Sequence, residues 1–201
     1  MADMNERDAK LVQYLSEAYG KERELEAALQ AHIGMTAKGP YKKRLQQHLK
    51  ETKAHAKQVE RRIKQLGGGG QTLQTLVGKA MAAGKGPVHA MRGSGEEEKM
   101  LKNAKTEYFN EHEEIATYLA IEVLAEKVGD RETAKLAKQI RREEERMARF
   151  LEGQIKSLSR AVVTAEIPAS QRRSNGATRK TTRRRSKTKA KAHTKAKARR
   201  K

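Results

Sequence analysis

Four stretches of this chain repeat apolar residues at steps of three and four, the period of a helix buried along one side. Leu11, Leu15, Ala18, Leu25, Leu29 and Ile33 mark the first. Leu45, Leu49, Thr52, Ala56, Val59, Ile63 and Leu66 mark the second. The third runs through Met100, Ala104, Tyr108, Ile115, Tyr118 and Leu119, and the fourth through Leu136, Ile140, Met147, Leu151, Ile155 and Leu158. The breaks between them are those expected of helix ends. Asp3 or Asn5 can cap the first helix, which runs to Ile33. Pro40 suits the first turn of the second, and Gly67 to Gly70 stop it after Leu66. Ser94 with Glu97 forms a capping box for the third, which reaches Val128. Gly129 can end it in the left-handed region, Asp130 can cap the fourth, and the fourth extends to about Ser159. Gln71 to Gly95 is a longer connection, ending in a Gly-rich passage, of a length that can cross the end of a bundle. The expected fold is therefore all-α: a four-helix bundle with one long crossover between helices 2 and 3.

Three of the four stripes carry an acid where an apolar residue belongs. Glu111 points within roughly 30° of the centre of the third stripe at 100° per residue. Glu22 lies near the centre of the first, and Glu144 falls inside the fourth with Glu143 on its flank. His48 and His55 border the second stripe, with Glu51 further round. A carboxylate in a dry seam costs several kcal/mol unless something compensates it. Acids at one level of four antiparallel helices would form a carboxylate-rich cage for two metal ions, and oxygen-rich ligation suits iron or manganese better than zinc. Such centres usually take a Glu-x-x-His pair from each of two helices. Here the residue three after Glu111 is Glu114, the residue three after Glu144 is Met147, and Glu51 and His55 are four apart. Tyr14, Tyr19, Tyr108 and Tyr118 read as core tyrosines whose hydroxyls find partners. His32 and His89 read as surface residues, and His112 points off the stripe.

Charge divides the 201-residue chain in two. Of its 45 Lys and Arg, 15 lie between Arg172 and Lys201, a stretch without acids; the rest of the chain holds 30 against 25 Asp and Glu. The expected domains are a bundle over 1–168 and a disordered basic tail over 169–201, since the tail has no apolar period. Arg172, Arg173, Arg179, Lys180, Arg183, Arg184, Arg185, Lys187, Lys189 and Lys191 are its candidate phosphate contacts. Without aromatics it cannot stack on bases, so DNA or another polyanion would be bound without sequence preference. The composition resembles tails of linker-histone-type and bacterial nucleoid proteins. No Cys means no disulfide framework and no thiolate metal site. The start has no apolar signal region and no apolar run reaches about 18 residues, so neither secretion nor a membrane is expected.

The segments YGKERELEAAL, HLKETKAHAKQVERRIKQLG, NEHEEIATYLA and IRREEERMARFL, between Lys10 and Leu158, resemble the YciE/YciF-type ferritin-like proteins of bacteria. NEHEEIATY and HLKET are the most specific of them. The resemblance implies a four-helix ferritin-like bundle, a di-metal centre and a stress-linked role. It maps acidic ligands onto Glu22, Glu51, Glu111, Glu114 and Glu144, with His55 as a nitrogen ligand. Relatives often carry an acid where Ala148 stands, so this fourth helix is one ligand short of that pattern.

Together these readings predict a cytoplasmic, nucleoid-associated bacterial protein, a homodimer, that binds iron or manganese and limits oxidative damage near DNA by ferroxidase or peroxide-consuming chemistry. The competing expectations are a metal-free architectural bundle whose tail binds nucleic acid, and an enzyme resembling manganese catalase.

Overall fold

The computed structural model describes residues 4–37, 39–69 and 95–172. Four long helices account for most of them: α1 Glu6–Met35, α2 Gly39–Gln65, α3 Glu96–Lys127 and α4 Arg131–Glu166. Asn5 caps α1, its side chain accepting from the Asp8 amide at 2.9 Å. Asp130 caps α4 by accepting from the Thr133 amide at 3.0 Å. Gly129 between α3 and α4 has φ +77°, which lets the chain reverse in a short turn. At the end of α2, a Cβ on Gly68 would meet Val12 Cγ1 at 2.7 Å, so only glycine lets α1 come this close. The cap of α3 differs from expectation: the helix starts at Glu96, so Gly95 holds the cap position without a side-chain bond, and Ser94 lies outside the described residues.

Contacts between helices fix their directions. His32 near the end of α1 meets Glu107 near the start of α3, while Glu22 meets Tyr118 further along. α1 and α3 are therefore antiparallel. Tyr41 and His48 of α2 meet Glu107 and Glu111 of α3 in the same order, so α2 and α3 run parallel. Tyr41 lies against Phe150 and Arg62 bonds Thr133, which makes α2 and α4 antiparallel. The end of α2 and the start of α3 thus stand at opposite ends of the bundle, the arrangement a long crossover produces. The expected crossover itself lies largely outside the described residues.

The core is in two pieces. Leu11, Leu15, Val59, Ile63, Ile121 and Ile140 lead one apolar cluster. Leu29, Tyr41, Leu45, Met100, Met147 and Leu151 lead the other. The helices pass from one to the other through the acids and histidines described below. Two details correct the sequence reading. Leu119 is 47% exposed, because the buried face of α3 follows Glu107, Glu111, Glu114 and Tyr118. His32 is 2% exposed, drawn inward by Glu107.

The chain divides into two compact units, one to Val162 and one from Val163. Within the second, the Arg172 guanidinium donates to the Ile167 and Thr164 carbonyls at 2.6 and 2.7 Å. The tail expected from 169 onward lies outside the described residues beyond Arg172. No described helix is long and apolar enough to cross a membrane.

Candidate metal centre

Two triads of buried side chains meet at Glu144. One is Glu22, His55 and Glu144; the other is His48, Glu111 and Glu144, each with one donor atom per residue, all within 4.8 Å of one another. α1, α3 and α4 contribute the acids that interrupt their apolar stripes, and α2 contributes both histidines. Glu144 faces both ways. Its Oε1 is 2.9 Å from His55 Nδ1 and its Oε2 is 3.7 Å from His48 Nε2. The 2.9 Å approach is off-line for a hydrogen bond, so both atoms lack a hydrogen-bond partner despite their proximity. His48 Nε2 is 3.0 Å from Glu111 Oε1.

Each histidine is held from behind by a second carboxylate. His48 Nδ1 lies 3.2 Å from Glu51 Oε2, which is itself bonded by Arg44 at 3.0 Å. His55 Nε2 lies 2.9 Å from Glu143 Oε2. This carboxylate–histidine arrangement aims one ring nitrogen inward and fixes the ring, as in protein metal sites. Tyr118 donates to Glu22 Oε1 at 2.5 Å and fixes that carboxylate too.

Electrostatics express the crowding. Burial raises Glu111 to about 8, against the pull of His48. Burial, then the charges of Glu22, Glu144 and Glu111, push Glu114 well above the ordinary carboxylate range. Burial also raises Glu22, partly offset by His55. Glu144 moves the other way: burial opposes its ionisation, but His55 and His48 hold it below its usual value. Burial would lower both histidines. Glu111, Glu51 and Glu144 instead hold His48 at about 10, and Glu144 with Glu22 holds His55 at about 11. Glu51 sits at about 2: burial would raise it, but His48 and Arg44 prevail.

Seven buried donor atoms in this space have no hydrogen-bond partner within the protein: Glu22 Oε2, Glu111 Oε2, both oxygens of Glu114, both of Glu144, and His55 Nδ1. Buried polar atoms are ordinarily paired. A concentration of unpaired carboxylate oxygens around two imidazoles is the donor set a pair of hard or borderline cations takes, and it contains no thiolate. These residues fit a metal site on that chemistry.

Of the sequence-predicted ligands, Glu22, His55, Glu111 and Glu144 enter the triads. Glu114 is buried, with its charge felt by Glu22, Glu144 and Glu111, but stands outside the two triads. Glu51 is not among the converging donors; it orients His48 from outside. His48 itself was overlooked as a ligand. Its signal was its spacing: seven residues, two helical turns, from His55, which puts both rings on one face. Glu107, four residues before Glu111, was missed although Met100 and Ala104, seven and three residues before it, mark its face. Ala148 and Met147 are buried apolar residues, so α4 supplies Glu144 as its one inward acid at this level. His112 is exposed, its ring bonded to the Tyr108 carbonyl at 2.8 Å.

Residues 6–164 match the family described as a domain of unknown function, DUF892. The chain belongs to that family. In its fold it is similar to protein XCC3681 from Xanthomonas campestris pv. campestris, with a TM-score of 0.65 and 26% identity over 81% of this chain and 99% of the other. It is also similar to YcfI from Rhodopseudomonas palustris, with a TM-score of 0.61 and 21% identity over 75% of this chain and 96% of that one. No curated protein matches.

Proposed function

We propose that this DUF892 protein holds a dinuclear iron or manganese centre, for which Glu22 with His55, His48 with Glu111, and Glu144 common to both triads would be the ligands, and that it limits oxidative damage. The observation that carries the reading is the set of unpartnered buried carboxylate oxygens facing two braced histidines. Burial raises Glu22, Glu111 and Glu114, and the carboxylates hold protons on both histidines, so a cation would enter by displacing protons from these groups. Glu22, His55, His48, Glu111 and Glu144 would hold the metal, which in the ferrous state would supply the two electrons that, with two protons, convert one hydrogen peroxide to two waters. The protein's share is to orient ligands through Glu51, Glu143 and Tyr118 and to keep the site between two apolar clusters. A YciE/YciF-type relationship belongs to this proposal. It is supported by HLKET and NEHEEIATY, the segments that bear His48, Glu51, Glu111 and Glu114.

The basic stretch 172–201 binds DNA or a similar polyanion in this reading, supported by its 15 cations and lack of acids. Cytoplasmic, nucleoid-associated placement follows from that binding. A homodimer completes the proposal. Its seam is the exposed stripe Phe109, Leu119 and Val123 on α3; Phe109 and Val123 lie equally far from Ala116, so two antiparallel copies would pair them across a two-fold axis.

Stopped-flow absorbance after mixing the ferrous-loaded protein with peroxide tests the chemistry. Ferric absorbance should grow with two irons oxidised per peroxide, and Glu144→Gln should abolish it. Sustained oxygen release would instead indicate a catalase-like enzyme, and failure to take up metal would indicate an architectural bundle.

A further inference from the structure

Around the centre, most inner side chains are backed by protein. Glu51 and Glu143 stand behind His48 and His55, and the Tyr118 hydroxyl holds Glu22. Glu114 differs: it is 2% exposed, and neither of its oxygens has a hydrogen-bond partner. What stands outside it is an ion pair. Lys21 of α1 and Glu113 of α3 meet at 2.8 Å across the α1–α3 seam, and Glu24 lies 3.6 Å from the same ammonium. Each member of the pair precedes an inner acid by one residue, Lys21 before Glu22 and Glu113 before Glu114. One residue is a turn of about 100° round the helix axis, so the pair lies on the solvent side of the two acids.

Exposure falls along this line. The side chains of Glu113 and Glu24 are 48% and 36% exposed, that of Lys21 is 17% exposed, and Glu114 lies within. Carboxylates at a rim raise the local concentration of cations, and the inner carboxylate offers them two unpaired oxygens. Between rim and interior stands a charge of the opposite sign. Burial and the inner acids raise Glu114, and the Lys21 charge acts against them, so the ammonium is felt at that acid. Lysine suits a movable barrier, because its charge is a single point on a flexible four-carbon stem.

We infer that the α1–α3 seam at Glu113, Lys21 and Glu114 is the entrance by which divalent cations reach the centre, and that Lys21 is its plug. In the metal-free protein the ammonium compensates Glu114 from outside. An arriving cation takes over that compensation, and the ammonium stays with Glu113 and Glu24. The inference rests on the metal-binding reading of the centre for its destination.

Stopped-flow mixing of the chelator-treated, full-length protein with Co(II), read by the visible absorbance of the bound ion, tests it. Lys21→Met should load about tenfold faster than wild type, the lower end of what a charge-lined cleft does to association rates. Lys21→Arg keeps the charge and can pair with Glu113 through two N–H groups, so it should load no faster than wild type. Glu113→Gln lies at a half-exposed position, where the fold tolerates it. It should load more slowly than wild type, because the ammonium it releases turns towards Glu114. Final amplitude and helicity should be the same in all four proteins, since none of the substitutions touches a residue of the two triads. Equal loading rates in all four, at equal final amplitude, would overturn the entrance and leave the centre standing. Slower loading of Lys21→Met would make Lys21 a structural support and would overturn the entrance as well. No uptake of Co(II) by the wild type would overturn the centre and the entrance together.

Discussion

At the scale of single residues, the acids of the centre are not equivalent. Glu114 has two buried oxygens and no hydrogen-bond partner for either, whereas Glu144 faces both histidines. Removing each should therefore have opposite effects on the metal-free protein. Glu114→Met should stabilise it by about 1–3 kcal/mol, the cost of an unsatisfied buried polar group. Glu144→Met should destabilise it by about 3–5 kcal/mol, because two buried imidazolium groups lose a shared partner. Urea denaturation after chelation checks both. Apolar periodicity exposes Glu22, Glu111 and Glu144 because each interrupts a stripe, but it cannot rank them. Partner identity is a relation between helices, so the bracing of His48 by Glu51, and of His55 by Glu143, is invisible along one chain. His32 was misplaced for the same reason: only Glu107, 75 positions away, explains its burial.

At the scale of elements, helix ends were legible where a residue type dictates them. Asn5, Gly129 and Asp130 act as their chemistry requires. The end of α4 was not, because nothing after Ser159 breaks a helix before Pro168, and the helix runs to Glu166. The join of α2 to the α3–α4 turn has a single hub. Arg62 donates to both Asp130 oxygens at 2.8 and 2.7 Å, to Thr133 at 2.8 Å and to Glu132 at 2.6 Å. Arg62→Met removes the ion-pair partner of the buried Asp130 carboxylate and leaves it only its Thr133 bonds, and should cost about 3 kcal/mol in thermal or urea unfolding with metal stoichiometry unchanged. Loss of metal in that variant would mean that the turn, and not the acids alone, sets the centre's geometry.

At the scale of the whole molecule, the centre makes stability depend on pH with a definite sign. Glu111 rises from 4.5 to about 8 and His48 from 6.5 to about 10. Groups with raised folded pKa values contribute stability at low pH that is lost as pH rises towards the folded value. The Glu111 contribution is lost between 4.5 and about 8, and that of His48 between 6.5 and about 10, so the two losses overlap between 6.5 and about 8. Glu51, lowered to about 2, acts oppositely, its contribution present above 4.5 and lost as pH falls. The metal-free protein should therefore lose stability most steeply from pH 6.5 to about 8, as read from urea midpoints. A rise across that interval would contradict the assignment. Metal affinity should climb over the same range as ligands shed protons. The basic stretch should act independently of the bundle. If about half of its cations engage phosphate at once, log K for DNA should fall with log salt at a slope of about −6 to −7. Deleting residues 172–201 should remove nearly all of that slope and leave metal content as it was.

The central claim is that converging, unpaired carboxylates of α1, α3 and α4, with two histidines of α2, hold two metal ions. Elemental analysis of protein purified without chelator, for the wild type and for Glu144→Gln, tests it most directly. The account predicts two iron or manganese ions per chain in the wild type and at most one, weakly held, in Glu144→Gln. Equal metal content in the two, or none in either after reconstitution with Fe(II) and with Mn(II), would contradict it.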